Sequence, residues 1–290
     1  MFTGSLVAIV TPFRNGKVDE RALGDLIEFQ IANGTDGIVP CGTSGESATL
    51  SHAEHERVVA FTVDAVRRRV PVIAGTGSNS TDEAIALTKH AERAGADGAL
   101  LITPYYNKPT QEGLFQHYKA VAEAVELPIV LYNIPGRTSV NMTPATVARL
   151  AQCRSIVAIK EGSGSLQQVS DIIHACGDRI TVLSGDDPLT LPMLAVGAKG
   201  VITVTANIAP RDMAALVDAW AAGRVEEARR LHYKLYPLFT ALFYETNPIP
   251  VKEALAMMGK ISGELRLPLC PMSGENRDKL AQVLKEYGLV

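Results

Sequence analysis

Eight short apolar runs, spaced at roughly thirty-residue intervals, place the strongest constraint on how this chain folds. They are SLVAIVTPF, GIVPCG, PVIAGTG, GALLITPYY, PIVLYNIP, SIVAIKEG, ITVLSGDD and GVITVTANI. Each has the length of one strand, and most end in Gly, Pro, Asn or Asp. Helical spacing fills the intervals. Leu23, Leu26, Ile27 and Ile31 share one helical face that stops at Asn33-Gly34. Ser51 with Glu54, and Ser80 with Glu83, fit capping boxes. Thr143-Pro144 reads as an N-cap followed by proline at the first helical position. Leu166, Val169, Ile172 and Ile173 repeat the helical spacing before Gly177 ends it. Strands alternating with helices eight times predict an α/β fold, a (β/α)8 TIM barrel. A doubly wound open sheet is the alternative, because strand number alone does not establish closure. After Ile208 only helical patterns remain. The expected division is a catalytic barrel over residues 1–224 and a C-terminal helical extension over 225–290.

Composition narrows the function. The 290 residues are 47% hydrophobic and 20% charged, ordinary values for a globular enzyme. A net charge of −3 offers no footprint for nucleic acid or an anionic membrane. No apolar run reaches the length of a membrane span, and LVAIV is too short for a signal core. Cys41, Cys153, Cys176 and Cys270 are scattered without metal-ligand spacing and read as reduced thiols, so a cytoplasmic location is expected.

One stretch stands out chemically. In SIVAIKEGSG a lysine, Lys160, ends the apolar run Ile156-Val157-Ala158-Ile159. A strand-end lysine can pack its stem and send its head to water. It can also be an amine kept in apolar surroundings to attack a carbonyl. Barrel enzymes work at the C-terminal ends of their strands. Those ends carry Thr43, Ser44, Tyr105, Tyr106, Tyr132, Asn133, Lys160, Glu161, Gly185, Asp186, Asp187, Thr203 and Thr205, with Arg137 in a following loop. The glycines of CGTSGES allow backbone N–H groups to form a small anion nest, but the segment lacks a P-loop ending. GTGSNS is half a dinucleotide fingerprint without its third glycine. His52 and His55 lack a third ligand, so no metal site is expected.

The motifs GTSGES, TPYYNKP, LYNIPGRT, AIKEGSG and SGDD, in this order and over essentially the whole chain, resemble the dihydrodipicolinate synthase family. That family belongs to the pyruvate-dependent lysine aldolases, which include sialic acid lyases. Two departures are visible: Ser44 stands where threonine is commoner, and Gly162-Ser163 follows the lysine-glutamate pair.

The resemblance implies a Schiff base between Lys160 and pyruvate, with no separate cofactor. The derived enamine would attack L-aspartate 4-semialdehyde, a reaction that opens diaminopimelate and lysine synthesis. Tyr132, Thr43 and Tyr106 would form the proton relay. The N–H groups of Thr43 and Ser44 would hold the pyruvate carboxylate, with Gly185 and Ile202 lining the pocket. Arg137 would grip the second substrate. Ser47, Ala48, His52, His55, Asn79, Glu83 and Tyr105 match the positions at which L-lysine inhibits some members. The resemblance also implies a homotetramer built as a dimer of dimers, with Tyr106 reaching into the neighbouring subunit. Two rival readings are a sibling aldolase acting on a sugar acid or sialic acid, and a non-catalytic binding protein on the same barrel.

Overall fold

The computed structural model describes residues 2–290. Eight parallel strands carry the fold: β1 (Gly4–Ala8), β2 (Gly37–Val39), β3 (Ile73–Gly75), β4 (Gly98–Ile102), β5 (Ile129–Asn133), β6 (Ile156–Glu161), β7 (Thr181–Ser184) and β8 (Gly200–Thr203). They are ordered β2-β1-β8-β7-β6-β5-β4-β3. The two ends meet through a parallel bridge between Ile38 and Val72. The Ile38 N–H donates to the Pro71 carbonyl and the Gly75 N–H to the Pro40 carbonyl, each at 2.9 Å. The sheet therefore closes, and the open-sheet alternative is excluded.

Closure explains why the strands read as continuous apolar runs. Each has one face toward the lumen and one toward the helices, so both are buried. Leu6, Ala8, Val39, Ile73, Leu100, Val130, Tyr132, Ala158, Leu183 and Ile202 fill the lumen together with Phe2. Their neighbours Val7, Ile38, Ala74, Leu101, Leu131, Ile159, Val182 and Val201 pack outward against the helices. Each fully buried Leu, Ile or Val contributes about 1.5–3 kcal/mol. The lumen is a packed plug below the strand ends, which leaves the C-terminal mouth as the place for a site.

Helices α1 (Glu20–Ala32), α2 (His52–Val66), α3 (Thr81–Arg93), α4 (Gln111–Ala124), α5 (Pro144–Leu150), α6 (Leu166–Cys176), α7 (Thr190–Ala195) and α8 (Pro210–Ala221) follow the eight strands in turn. Ser51 and Glu54 close a complete capping box on α2, and the Thr143 hydroxyl caps α5 as expected. α6 stops at Gly177. A two-stranded hairpin pairing Phe13 with Val18 precedes α1 and was not foreseen. Helices α9 (Val225–Ala241), α10 (Ile249–Met257) and α11 (Gly274–Tyr287) form the extension. This segment folds back over the mouth: Asn247, Lys252 and Arg266 all touch the loop and helix that follow β2.

Candidate active site

Lys160 and Tyr132 are register partners on the adjacent strands β6 and β5. Tyr132 belongs to the lumen layer. Lys160 is two residues beyond the lumen-facing Ala158 and so shares its face. The side chain of Lys160 is buried, with 5% of the residue exposed, and its Nζ lies 4.2 Å from the centroid of the Tyr132 ring. Among the described residues it joins no ion pair. Gly185, at the end of β7, adjoins the lysine stem: a Cβ there would stand 3.1 Å from Lys160 Cγ and equally close to the Glu161 carbonyl. Ile202 on β8 completes the floor. Four adjacent strands thus surround one amine with a phenol, apolar walls and a notch made by a missing side chain.

Above this floor runs the loop after β2. It can pass directly over the end of β3 because Gly75 lacks a Cβ, which would otherwise lie 2.2 Å from the Cys41 carbonyl. Cys41 and Glu46 adopt left-handed backbone conformations, with φ of 55° and 51°. Within the loop, Gly45 donates to the Gly42 carbonyl and Glu46 to the Thr43 carbonyl, both at 3.1 Å. The N–H groups of Thr43 and Ser44 have no protein acceptor among the described residues. Thr43 lines the mouth cavity, whereas Ser44 is buried and does not.

Arg137 follows β5 in a short helical turn, Pro135–Thr138. Its Nη2 donates to the backbone carbonyl of Asn247 at 3.1 Å. The Asn247 side-chain amide donates to the Ser44 hydroxyl, also at 3.1 Å. One residue of the extension therefore bridges the two expected carboxylate anchors. Nothing in the sequence marked Asn247, which lies 203 positions from Ser44. The buried pair formed by Glu46 and Lys252 was also missed, although a lysine inside NPIPVKEAL carries the same signal as one inside SIVAIKEG.

A cavity of about 490 Å³ opens at the mouth. Thr43, Tyr132, Arg137 and Asn247 line it, and so do Ser47, Ala48, His52, His55, Glu83 and Tyr105. Thr43, Tyr132 and Arg137 thus border the same space as most of the expected lysine-contacting groups, whereas Lys160, Ser44, Gly185 and Ile202 do not line it. Asn79 lies beside it, with its amide donating to the Tyr105 carbonyl at 3.2 Å. Tyr106 is different. It is 89% exposed, has φ of 71°, and is not brought to Tyr132 within this chain. Left-handed backbone at a bulky residue costs on the order of 1–3 kcal/mol and holds its ring outward.

Two expectations need correction. Ser80 accepts from the Glu83 N–H, but Glu83 does not return to Ser80, so the box on α3 is only half formed. The Glu83 carboxylate instead meets Ser78 Oγ and, at 2.8 Å, His52 Nε2. Ser78 first and His52 second hold that carboxyl below its ordinary range. His52 and His55 both line the cavity; His52 is exposed, whereas His55 is buried, with Nε2 2.7 Å from the Gly75 carbonyl, because α2 packs that side onto the barrel. The strand-end Thr205 and Asp187 do not ring the mouth freely either. Asp187 is buried and accepts from Thr205 Oγ1 at 2.6 Å and Thr205 N at 2.8 Å. Burial raises the Asp187 carboxyl, with those hydrogen bonds opposing.

The profile of the Dihydrodipicolinate synthetase family matches residues 1–287. The chain is 66% identical over 290 residues, the full length of both, to the 4-hydroxy-tetrahydrodipicolinate synthase of Geotalea uraniireducens. It superposes at a TM-score of 0.98 on the chloride-inhibited dihydrodipicolinate synthase from Acinetobacter baumannii complexed with pyruvate, 48% identical with 100% of each chain covered. The enzyme from Cyanidioschyzon merolae with lysine bound gives a TM-score of 0.97 at 42% identity, covering 100% of this chain and 99% of that one. With its fold and length in agreement, this chain belongs to the dihydrodipicolinate synthetase family, lyases of the class I aldolase type.

Proposed function

We propose that this chain condenses pyruvate with L-aspartate 4-semialdehyde, as 4-hydroxy-tetrahydrodipicolinate synthases do. The observation that carries the reading is the buried Lys160 amine against the ring of Tyr132, which itself lines a cavity bordered by Thr43 and Arg137. The neutral amine attacks the pyruvate keto carbon, water leaves, and an imine forms. The Thr43 and Ser44 N–H groups hold the carboxylate while Tyr132 carries protons to and from the reacting atoms. Loss of a methyl proton gives the enamine, whose carbon attacks the aldehyde held by Arg137. The substrate amine then displaces Lys160 and closes the ring, returning the free enzyme. Arg137 suits its role because a planar guanidinium binds a carboxylate with two parallel hydrogen bonds.

Tyr106 acts in the partner's relay, within a homotetramer whose dimer is the minimal active unit; its outward ring supports this. L-Lysine binds among Ser47, Ala48, His52, His55, Asn79, Glu83 and Tyr105 and inhibits. Four free thiols support a cytoplasmic setting. Incubation with pyruvate and aspartate semialdehyde, compared with N-acetylneuraminate, tests the reading. Turnover of the sialic acid alone would replace it with a sibling aldolase.

A further inference from the structure

The side chains of Lys252, on α10, and Glu46, in the loop after β2, are both 0% exposed. The Lys252 ammonium meets the Glu46 carboxylate, donates to the Thr11 carbonyl at 3.0 Å, and lies 4.2 Å from the Phe13 ring centroid. The second Glu46 oxygen accepts the Arg266 N–H at 3.1 Å. Arg266 in turn donates to both oxygens of Glu54, at 2.5 and 2.8 Å, and to the Thr49 carbonyl at 2.9 Å.

A pair this deeply buried is a poor source of stability, since desolvation of each ion costs several kcal/mol. Burial indeed pushes the Lys252 ammonium below its ordinary value, with the Glu46 charge working against it. Its position is more telling than its strength. Glu46 sits in left-handed conformation between Ser44 and Ser47, and its N–H donates to the Thr43 carbonyl. Thr49 Oγ1 donates back to the Glu46 carbonyl at 3.1 Å. The carboxylate is thus one of the long-range anchors of the loop, with the Asn247 amide on Ser44 and the Thr11 hydroxyl on the Gly45 carbonyl at 2.7 Å, and it is the charged one of the three.

We infer that Glu46 and Lys252 are positioning residues, which hold the Thr43 and Ser44 N–H groups in the geometry that receives the pyruvate carboxylate. The inference rests on the role given above to those two N–H groups. The extension is then a working part of the pyruvate site, reaching it through a charge pair that touches no substrate.

Full-length wild type, Glu46→Gln, Lys252→Met and Lys252→Arg would be compared by borohydride trapping across a pyruvate series, by kcat, and by thermal midpoint. Glu46→Gln and Lys252→Met should raise the pyruvate concentration for half-maximal trapping at Lys160 by about tenfold or more, with kcat at saturation within about threefold. Lys252→Arg, which keeps the charge, should recover part of that loss. Should Lys252→Met not accumulate as folded protein, Glu46→Gln and Lys252→Arg decide. Lower thermal midpoints with half-maximal trapping within about twofold of wild type would show a purely structural pair and overturn the inference. Failure of the wild type itself to trap pyruvate would instead remove the reading beneath it.

Discussion

Lys160 and Lys252 are both buried at the catalytic end of the barrel, yet only Lys252 has an anionic partner. Lys252 is tied to Glu46 and the Thr11 carbonyl, while the Lys160 Nζ meets the Tyr132 ring face. A tied ammonium is a structural element. An untied amine is accessible to a carbonyl carbon.

Pyruvate with borohydride should therefore add one reduced pyruvyl group on Lys160 and none on Lys252, as read by peptide mass spectrometry. Lys160→Ala should lose the adduct completely. Lys160→Arg should be equally inactive, because a guanidinium stays protonated near neutral pH. Wild-type label on another lysine would sink the assignment.

The role proposed for Arg137 is confined to the second substrate. Its tether is the Asn247 carbonyl, and no contact joins it to Lys160. Arg137→Ala should leave pyruvate trapping near wild type while kcat/KM for aspartate semialdehyde falls roughly a hundredfold. Equal loss of both functions would mean that the arginine organises the whole pocket.

Tyr106 should be assayed by complementation. Neither Tyr106→Phe nor Lys160→Ala should turn over alone. Mixed under conditions of subunit exchange, they should regain part of the activity, since one site of a hybrid dimer keeps both residues. Exchange shown by mass spectrometry without any recovered turnover would count against a relay that crosses subunits.

Glu83 has no return bond to its helix cap, so its carboxylate is directed at the cavity with His52 as its partner. Glu83→Ala should raise the lysine concentration needed for half-inhibition by about tenfold or more and retain most uninhibited activity. Inhibition in the wild type should be partial and non-competitive toward pyruvate. Calorimetry without a lysine binding signal at millimolar concentration would refute the site and leave the catalytic reading intact.

His117 supplies a pH signature of folding. Its Nδ1 lies 2.9 Å from Thr81 Oγ1, its Nε2 has no partner among the described residues, and burial pushes its pKa down from 6.5 to about 4. The folded chain therefore refuses a proton that the unfolded chain accepts between those values. Its contribution is fully present above pH 6.5 and is lost as pH falls toward 4, by at most about 3 kcal/mol. Denaturant midpoints for wild type should drop more between pH 7 and 4.5 than those of His117→Gln. Parallel slopes would assign the acid sensitivity to other groups.

The eight strands and the reactive lysine were legible because both signals are local. A barrel strand buried on both faces reads as a continuous apolar run, and a lysine inside such a run violates the pattern visibly. The half-formed box at Ser80 and Glu83 was misjudged because residue types cannot tell a carboxylate that turns back from one drawn toward His52, 31 positions away. Asn247 and Lys252 were overlooked for a related reason: their partners lie 203 and 206 positions off. Lys252 could have been flagged, since Pro248, Ile249, Pro250, Val251, Ala254 and Leu255 surround it with apolar sequence. Tyr106 was placed at a strand end by the sequence, but its part in a relay that crosses subunits came only through family resemblance.

The fold-back of the last helices has a consequence for the order in which the protein becomes competent. A ribosome finishes the eighth strand at Thr203, and by then Lys160, Tyr132, Thr43 and Arg137 have all been made. The asparagine that ties Ser44 to Arg137, the lysine that anchors Glu46 and the arginine that braces it arrive only at positions 247, 252 and 266. A nascent or truncated chain would own every reactive group before it owned the parts that aim them. A chain cut short before residue 247 would present a mouth whose loop lacks three residues that tie it down.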